Sequence, residues 1–357
     1  MTFFIIIFFI IVFNSFIIPR LISNKFLNSN LKLIRKRDIH NQIISPFGGI
    51  AIFFSFSFSI LILILFDSSK QSPIYINFND NYFIFFISSF FIFVLGFLDD
   101  LYNLSYIIKL SIQLLISYIF VFILDVYIES FYGLFDVFVF SDFDLKLFSV
   151  LVSVFIINSF NLIDGVDGLA SSIGSFILIS FGIIFYFNNL FFDTLICGLL
   201  ICSLLSFLNF NLTPAKIFMG DSGSLFIGCF IAFFSLKICN LEIDASGTVN
   251  PVFILCILSY PSIDTIRIFT IRIINKKSPF LADKNHIHHL ILSKTNNPNF
   301  VIVFAVIYTL LLMLLSYQLR FNITFSFIIS ILFSLFLINL SLSRYFNFFI
   351  NFIKKIF

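Results

Sequence analysis

The chain has 357 residues, of which 60% are hydrophobic and 11% charged, and a mean hydropathy of +1.10. It carries more apolar sequence than a soluble core absorbs, which excludes an ordinary water-soluble domain. A net charge of +3 says little about a membrane protein, and no nucleic-acid partner is expected.

A membrane-spanning helix needs about 20 apolar residues. Runs of that kind centre on residues 3–18, 46–66, 82–98, 106–124, 146–162, 169–187, 193–210, 222–238, 251–270, 300–317 and 323–342. The expected fold is all-α, a polytopic transmembrane bundle of about 11 spans. Residues 1–342 form one integral membrane domain, and 343–357 form a basic interfacial tail. The first run lacks a basic leader and an A-x-A-like site, so it reads as a retained helix. Five cysteines, none in a C-x-x-C pair, read as small buried hydrophobes.

Charge sets the expected orientation. Arg20, Lys25, Lys32, Arg35, Lys36 and Arg37 fall in one loop; Arg267, Arg272, Lys276, Lys277, Lys284 and Lys294 fall in another. Lys109, Lys216, Arg344, Lys354 and Lys355 lie on the same side. Lys70, Lys146, Lys237 and Arg320 lie opposite. The positive-inside rule then puts the N-terminus outside and the C-terminus in the cytoplasm.

Four polar clusters land on that cytoplasmic face. In FLDDLYNLS, Asp99 and Asp100 point about 100° apart on a helix, so they do not easily share one task. In NSFNLIDGVDGLA, Asn158, Asn161, Asp164 and Asp167 recur every three residues. That spacing drifts off the helical period, and Gly165 and Gly168 let the chain leave helical geometry beside a ligand. NLTPAKIFMGDSGS brings Asn211, Lys216, Phe218 and Asp221 together. LADKNHIHHL holds His286, His288 and His289, three of the four histidines. An ordinary acidic helix end, a capping turn or a wet loop explains any one cluster alone. Four on one face offer carboxylates for a hard cation such as Mg²⁺, bases for phosphate and an aromatic for a nucleobase. That equipment suits a nucleoside diphosphate substrate and phosphoryl transfer to or from a lipid.

These words, in this order from about residue 35 to 290, resemble the polyprenyl-phosphate N-acetylhexosamine-1-phosphate transferases of glycosyltransferase family 4. The same superfamily includes phospho-N-acetylmuramoyl-pentapeptide transferase. The resemblance rests on Gly48-Gly49, D-D-x-x-x-L-S, N-x-x-N-L-x-D-G-x-D-G-L-A, P-A-K-I-F-M-G-D-S-G-S-L, P-x-x-D-T and S-P-F-x-A-D-x-x-H-x-H-H. It implies transfer of a sugar 1-phosphate from a UDP-N-acetylhexosamine, most plausibly UDP-GlcNAc, to undecaprenyl phosphate, with UMP released. It also implies Mg²⁺, or Mn²⁺ in its place, a site on the cytoplasmic face of the bacterial inner membrane, and room for a homodimer. By the same resemblance, Asp99 and Asp100 lie near the metal and acceptor phosphate, and Lys109 and Gln113 hold phosphate. Asn161, Asp164 and Asp167 line the nucleotide-sugar cleft, Asn211 and Phe218 hold uridine, Asp221 ligates Mg²⁺, and the three histidines lie near the diphosphate.

The chain departs from the family pattern twice. Ser45-Pro46-Phe47 stands where a basic residue commonly precedes the Gly-Gly pair, and Asn103 stands at an often acidic position. The rival readings are a UDP-MurNAc-pentapeptide transferase and, from another class, a transporter or lipid scramblase. A transporter would keep its polar groups near the bilayer midplane rather than at one face. The muramoyl branch carries a Thr-Pro-Thr word and an acidic end to its histidine word, and this chain has neither.

Overall fold

The computed structural model describes residues 2–23, 44–67, 80–136, 140–244, 247–248, 251–276, 278, 285–319 and 322–342. The basic stretch at 24–43, residues 279–284 of the histidine loop and the tail at 343–357 lie outside the described residues. Much of the charge asymmetry behind the expected orientation lies there too.

Among the described residues the chain is helical apart from a small antiparallel ribbon, β1 (Glu242–Asp244) with β2 (Gly247–Thr248). The helices are α1 (Thr2–Ser23), α2 (Gly48–Asp67), α3 (Asp80–Tyr102), α4 (Tyr106–Tyr118), α5 (Asp142–Leu162), α6 (Leu169–Phe187) and α7 (Phe191–Asn211). They continue as α8 (Gly220–Ile238), α9 (Pro251–Ile257), α10 (Ser259–Ile274), α11 (Ile287–Thr295), α12 (Pro298–Gln318) and α13 (Ile323–Leu342). Ten of the eleven apolar runs fall on one helix each, and the run at 251–270 is divided between α9 and α10. Seven helices are long and apolar enough to cross a bilayer, and the α9–α10 pair, bent by 87°, makes an eighth candidate. In α1, α2 and α13 the apolar described stretch is shorter.

Local chemistry sets the boundaries. Ser105 and Ser141 cap α4 and α5 by accepting the N–H of Ile108 and Asp144. Asn297 caps α12, which starts on Pro298. Asn103 ends α3 at φ 48°, a left-handed position that Asn tolerates. A helix terminator therefore occupies the position that is often acidic in the family.

Helix α8 is the axis of the bundle. All its residues are buried except Asp221 near one end and Lys237 near the other. It packs on α2, α3, α5 and α6. A helix apolar on every side belongs in the interior, and glycines let its neighbours come close. A Cβ on Gly49 would lie 2.2 Å from the backbone nitrogen of Gly223, and one on Gly96 would lie 2.3 Å from the Asp221 carbonyl oxygen. Phenylalanine fills the remaining space, with Phe85 stacked on Phe233 and Phe53 on Phe93, each pair at 4.0 Å.

At the far end, Lys237 donates to Asp193 and to the Tyr82 hydroxyl, both at 2.7 Å, and Tyr82 donates to Asp193 at 2.8 Å. This closed triangle joins the start of α3, the start of α7 and the end of α8. Lys146, on the first turn of α5, and Lys237 both lie a helix length away from Asn161 and Asp221.

Candidate active site

The site forms where α3 ends and α8 begins. Asp100 is buried, and its oxygens accept the backbone N–H groups of Asp221 at 2.9 Å and Ser222 at 3.0 Å. It caps α8 and so fixes where Asp221 projects. Gly220 makes this possible, because a Cβ there would lie 2.7 Å from Asp100 Oδ2 and 2.0 Å from the Pro46 carbonyl oxygen. Asp99, one residue earlier, faces elsewhere. Its Oδ2 takes the Lys109 ammonium at 2.8 Å, and its Oδ1 accepts the Leu104 N–H at 2.7 Å. Lys109 also lies 3.8 Å from Asp221 Oδ2, so one ammonium bridges two carboxylates. Asn161 donates to Asp221 Oδ1 and to Ser224 Oγ, both at 2.8 Å. Two carboxylates thus meet a single lysine at the end of an apolar bundle, with Asp100 beside them on the α8 backbone. Asp99 and Asp221 are brought together through the Lys109 ammonium that both meet. Oxygen donors with excess negative charge are the set that a hard divalent cation takes.

The turn at 163–168 joins this cluster to the histidines. A Cβ on Gly165 would lie 2.8 Å from His288 Nε2 and 3.2 Å from His289 Nε2. Only a residue without a side chain lets the imidazoles sit that close. Asp164 is half-buried in the same turn. His286 Nδ1 is 2.8 Å from Asp264 Oδ2, and the Ile287 N–H donates to Asp264 Oδ1 at 2.9 Å. His288 is fully buried, and burial pushes its imidazole down to about 3, so it is neutral near pH 7. Asp264, His286 and His288 bring one ligand atom each within 4.8 Å of one another.

Other expected site residues also hold the loops of the site together. Asn211 was expected to hold uridine. It is buried, its Oδ1 accepts the Gly168 N–H at 3.1 Å and the Ser171 hydroxyl at 3.0 Å, and its Nδ2 donates to the Ile217 carbonyl at 2.9 Å. It fastens the 163–168 turn to the loop bearing Phe218. Asp167, expected to line the cleft, is buried and accepts the Ala215 N–H at 3.1 Å, tying the same two loops. Asp100, expected near the metal and acceptor phosphate, holds the start of α8 next to Asp221. Gln113 lies buried a turn below Lys109 and accepts from Asn158 at 2.6 Å. Phe218 is half-buried. Its backbone is held by Ser45, whose carbonyl accepts the Phe218 N–H at 2.9 Å, while Gly48 N–H returns a bond of 3.0 Å to the Phe218 carbonyl. The Ser45–Gly49 loop therefore builds the loop that holds Phe218, which accounts for its glycines without any phosphate contact.

Sequence reasoning gave Asp264 no role, although it quoted the P-x-x-D-T word. The signal was a carboxylate in the middle of an apolar run, which needs a partner. Arg267, counted only for orientation, lies 3.3 Å from Asp264 and donates to the Asn285 carbonyl.

A membrane-embedded bundle with carboxylates, a lysine and histidines gathered at one end is a site built for a charged substrate at the bilayer surface. Residues 82–239 match the profile of glycosyl transferase family 4. A Bacillus subtilis (strain 168) protein named a probable undecaprenyl-phosphate N-acetylglucosaminyl 1-phosphate transferase is 31% identical over 262 residues, covering 72% of this chain and 68% of its own. A Thermotoga maritima protein named undecaprenyl-phosphate alpha-N-acetylglucosaminyl 1-phosphate transferase is 28% identical over 287 residues, covering 80% of this chain and 78% of its own. An Escherichia coli (strain K12) protein of that name is 28% identical over 220 residues, covering 58% of each chain. The chain belongs to glycosyl transferase family 4.

Proposed function

We propose that the protein transfers N-acetylglucosamine 1-phosphate from UDP-GlcNAc to undecaprenyl phosphate, giving undecaprenyl-diphospho-GlcNAc and UMP. The reaction is the first membrane step of a cell-surface glycan pathway. It takes place on the cytoplasmic face of a bacterial inner membrane, in a bundle of eleven spans with its C-terminus inside. The observation that carries the reading is the Asp99–Lys109–Asp221 cluster at the end of the buried α8, in a chain whose relatives bear that activity in their names.

Phosphoryl transfer asks for positioning and charge neutralisation rather than covalent help from the protein. The acceptor phosphate, with a second pKa of about 6, is largely dianionic at neutral pH and attacks the β-phosphorus in line. Lys109 offers the positive charge that draws the acceptor phosphate in and is exchanged from Asp99 to substrate. Asp221, oriented by Asn161 and by the Asp100 cap, and Asp99 are the residues that would hold Mg²⁺ or Mn²⁺, which would neutralise charge on the donor diphosphate. Phe218 stacks on uracil. Asp164, His288 and His289 border the diphosphate from the 163–168 turn.

Detergent-solubilised protein is assayed for UMP release with undecaprenyl phosphate and either UDP-GlcNAc or UDP-MurNAc-pentapeptide, with and without Mg²⁺. Magnesium-dependent release from UDP-GlcNAc is expected. Faster release with the pentapeptide donor would assign the muramoyl branch, and no release with any UDP-sugar would favour a transporter.

A further inference from the structure

We propose that Asp264 is the positioning residue of the histidine word, fixing the tautomer of His286 and the seat of α11 against the 163–168 turn. The functional part of this inference rests on the phosphotransferase reading above. Asp264 is 1% exposed and projects from α10, past the 87° bend. Oδ2 meets His286 Nδ1, and Oδ1 accepts the Ile287 N–H, the first residue of α11. Arg267, three residues on, grips the Asn285 carbonyl on the other side of His286. Two side chains of one helical turn therefore clamp residues 285–287.

A carboxylate only accepts hydrogen bonds, so His286 must carry a proton on Nδ1. In the neutral ring the lone pair then sits on Nε2, the nitrogen left for substrate or a proton. The adjoining His288 and His289 reach Gly165 only if α11 starts where Asp264 starts it. The same donors, with His288, could be read as a metal trio. Against this, Asp264 is already committed to an imidazole N–H and a backbone N–H, and the Arg267 guanidinium lies 3.3 Å away. A cation there would have to displace the imidazole proton and sit beside a fixed positive charge.

The test uses full-length protein in detergent. Histidine-selective ¹⁵N NMR should report one Nδ1–H tautomer in the wild type that is lost in Asp264→Asn. This readout needs no substrate, and an Nε2–H His286 in the wild type would overturn the proposal. Kinetics with UDP-GlcNAc and undecaprenyl phosphate follow. Asp264→Asn should lower kcat by about 10–100-fold, the cost of removing a carboxylate that orients a functional histidine, with a smaller change in donor KM. In a His286→Gln background the same substitution should cost less than about threefold, because the two act as a unit. An equal loss in both backgrounds would make Asp264 a structural residue only. A stoichiometric metal retained by the wild type and lost in Asp264→Asn would also refute it. Wild-type protein inactive on these substrates but with the Nδ1–H signature intact would reject the assigned reaction and keep the clamp.

Discussion

The carboxylate of Asp100 accepts the backbone N–H of Asp221 at 2.9 Å, so the adjacent acidic pair at 99–100 divides its labour between chemistry and architecture. Asp99 turns to Lys109, while Asp100 holds the helix that presents Asp221. Asp100→Ala should therefore lower stability by about 1–2 kcal/mol, the usual cost of losing an N-cap. Asp221→Asn, which relieves crowding between carboxylates, should leave the melting temperature unchanged or raised. Thermal unfolding in detergent separates the two, and an Asp100→Ala protein with the wild-type Tm would remove the capping role.

Asp221→Asn should depress kcat by about 10² or more, the scale of removing one electrostatic contact to developing charge. The protein should still insert and fold. Turnover measured across a magnesium titration is the check. A near-normal kcat at saturating metal would exclude Asp221 as a principal ligand.

Phe218→Ala should raise the KM for UDP-sugar about tenfold or more while changing kcat little. Stacking on a base is worth about 1–3 kcal/mol, and uracil lies far from the reacting phosphorus, so ground and transition states lose it alike. Steady-state kinetics decide the point. A fall in kcat alone would show that the ring does something other than stack.

His288 gives stability a pH dependence of known sign. Burial lowers its folded pKa to about 3, well below the ordinary imidazole value. The unfolded chain therefore takes up a proton that the folded chain refuses as pH drops below about 6.5. Its contribution is complete above that value and is lost on acidification, by up to about 1.4 kcal/mol per pH unit. Comparing Tm at about pH 7.5 and about pH 5.5 should show a drop in the wild type that His288→Gln reduces. Equal slopes would mean that other groups carry the dependence.

Gly49→Ala should be damaging out of proportion to one methyl group. The new carbon would lie 2.2 Å from the Gly223 nitrogen and 2.5 Å from Ser222 Oγ, forcing α2 away from the turn that carries Asp221. Overpacking of this kind costs about 1–3 kcal/mol. Gly182→Ala, whose nearest neighbour would be Cys197 at 3.4 Å, is the matched control and should be near neutral. Parallel Tm and turnover measurements on the two variants make the comparison.

The apolar runs were legible because a bilayer imposes a length and a composition on each helix, and every expected run is helical, although the one at 251–270 is broken into two helices bent by 87°. The polar words were legible too, since a charge-poor chain has few reasons to gather four of them. What could not be read was the allocation of atoms within a word. Asn211 and Asp167 look like ligand groups by type, yet each accepts a backbone N–H from 40 or more residues away, at Gly168 and Ala215. Nothing local in sequence announces such a bond. Asp264 was hidden for the opposite reason. It sits inside a long apolar run, and its meaning depends on a histidine 22 positions later.

Helix α8 hides every residue but its two charges. Asp221 is seized at one end by the Asp100 cap, and Lys237 at the other by Asp193 and Tyr82. The 19-residue helix that carries them is about 28 Å long at 1.5 Å per residue, close to the thickness of a bilayer's hydrocarbon layer. It is pinned at both ends to protein rather than to lipid. Membranes that thicken or thin must then be accommodated by tilt and bending of the outer helices. The depth of Asp221 is set by an internal ruler, fixed by protein contacts at both ends of the helix.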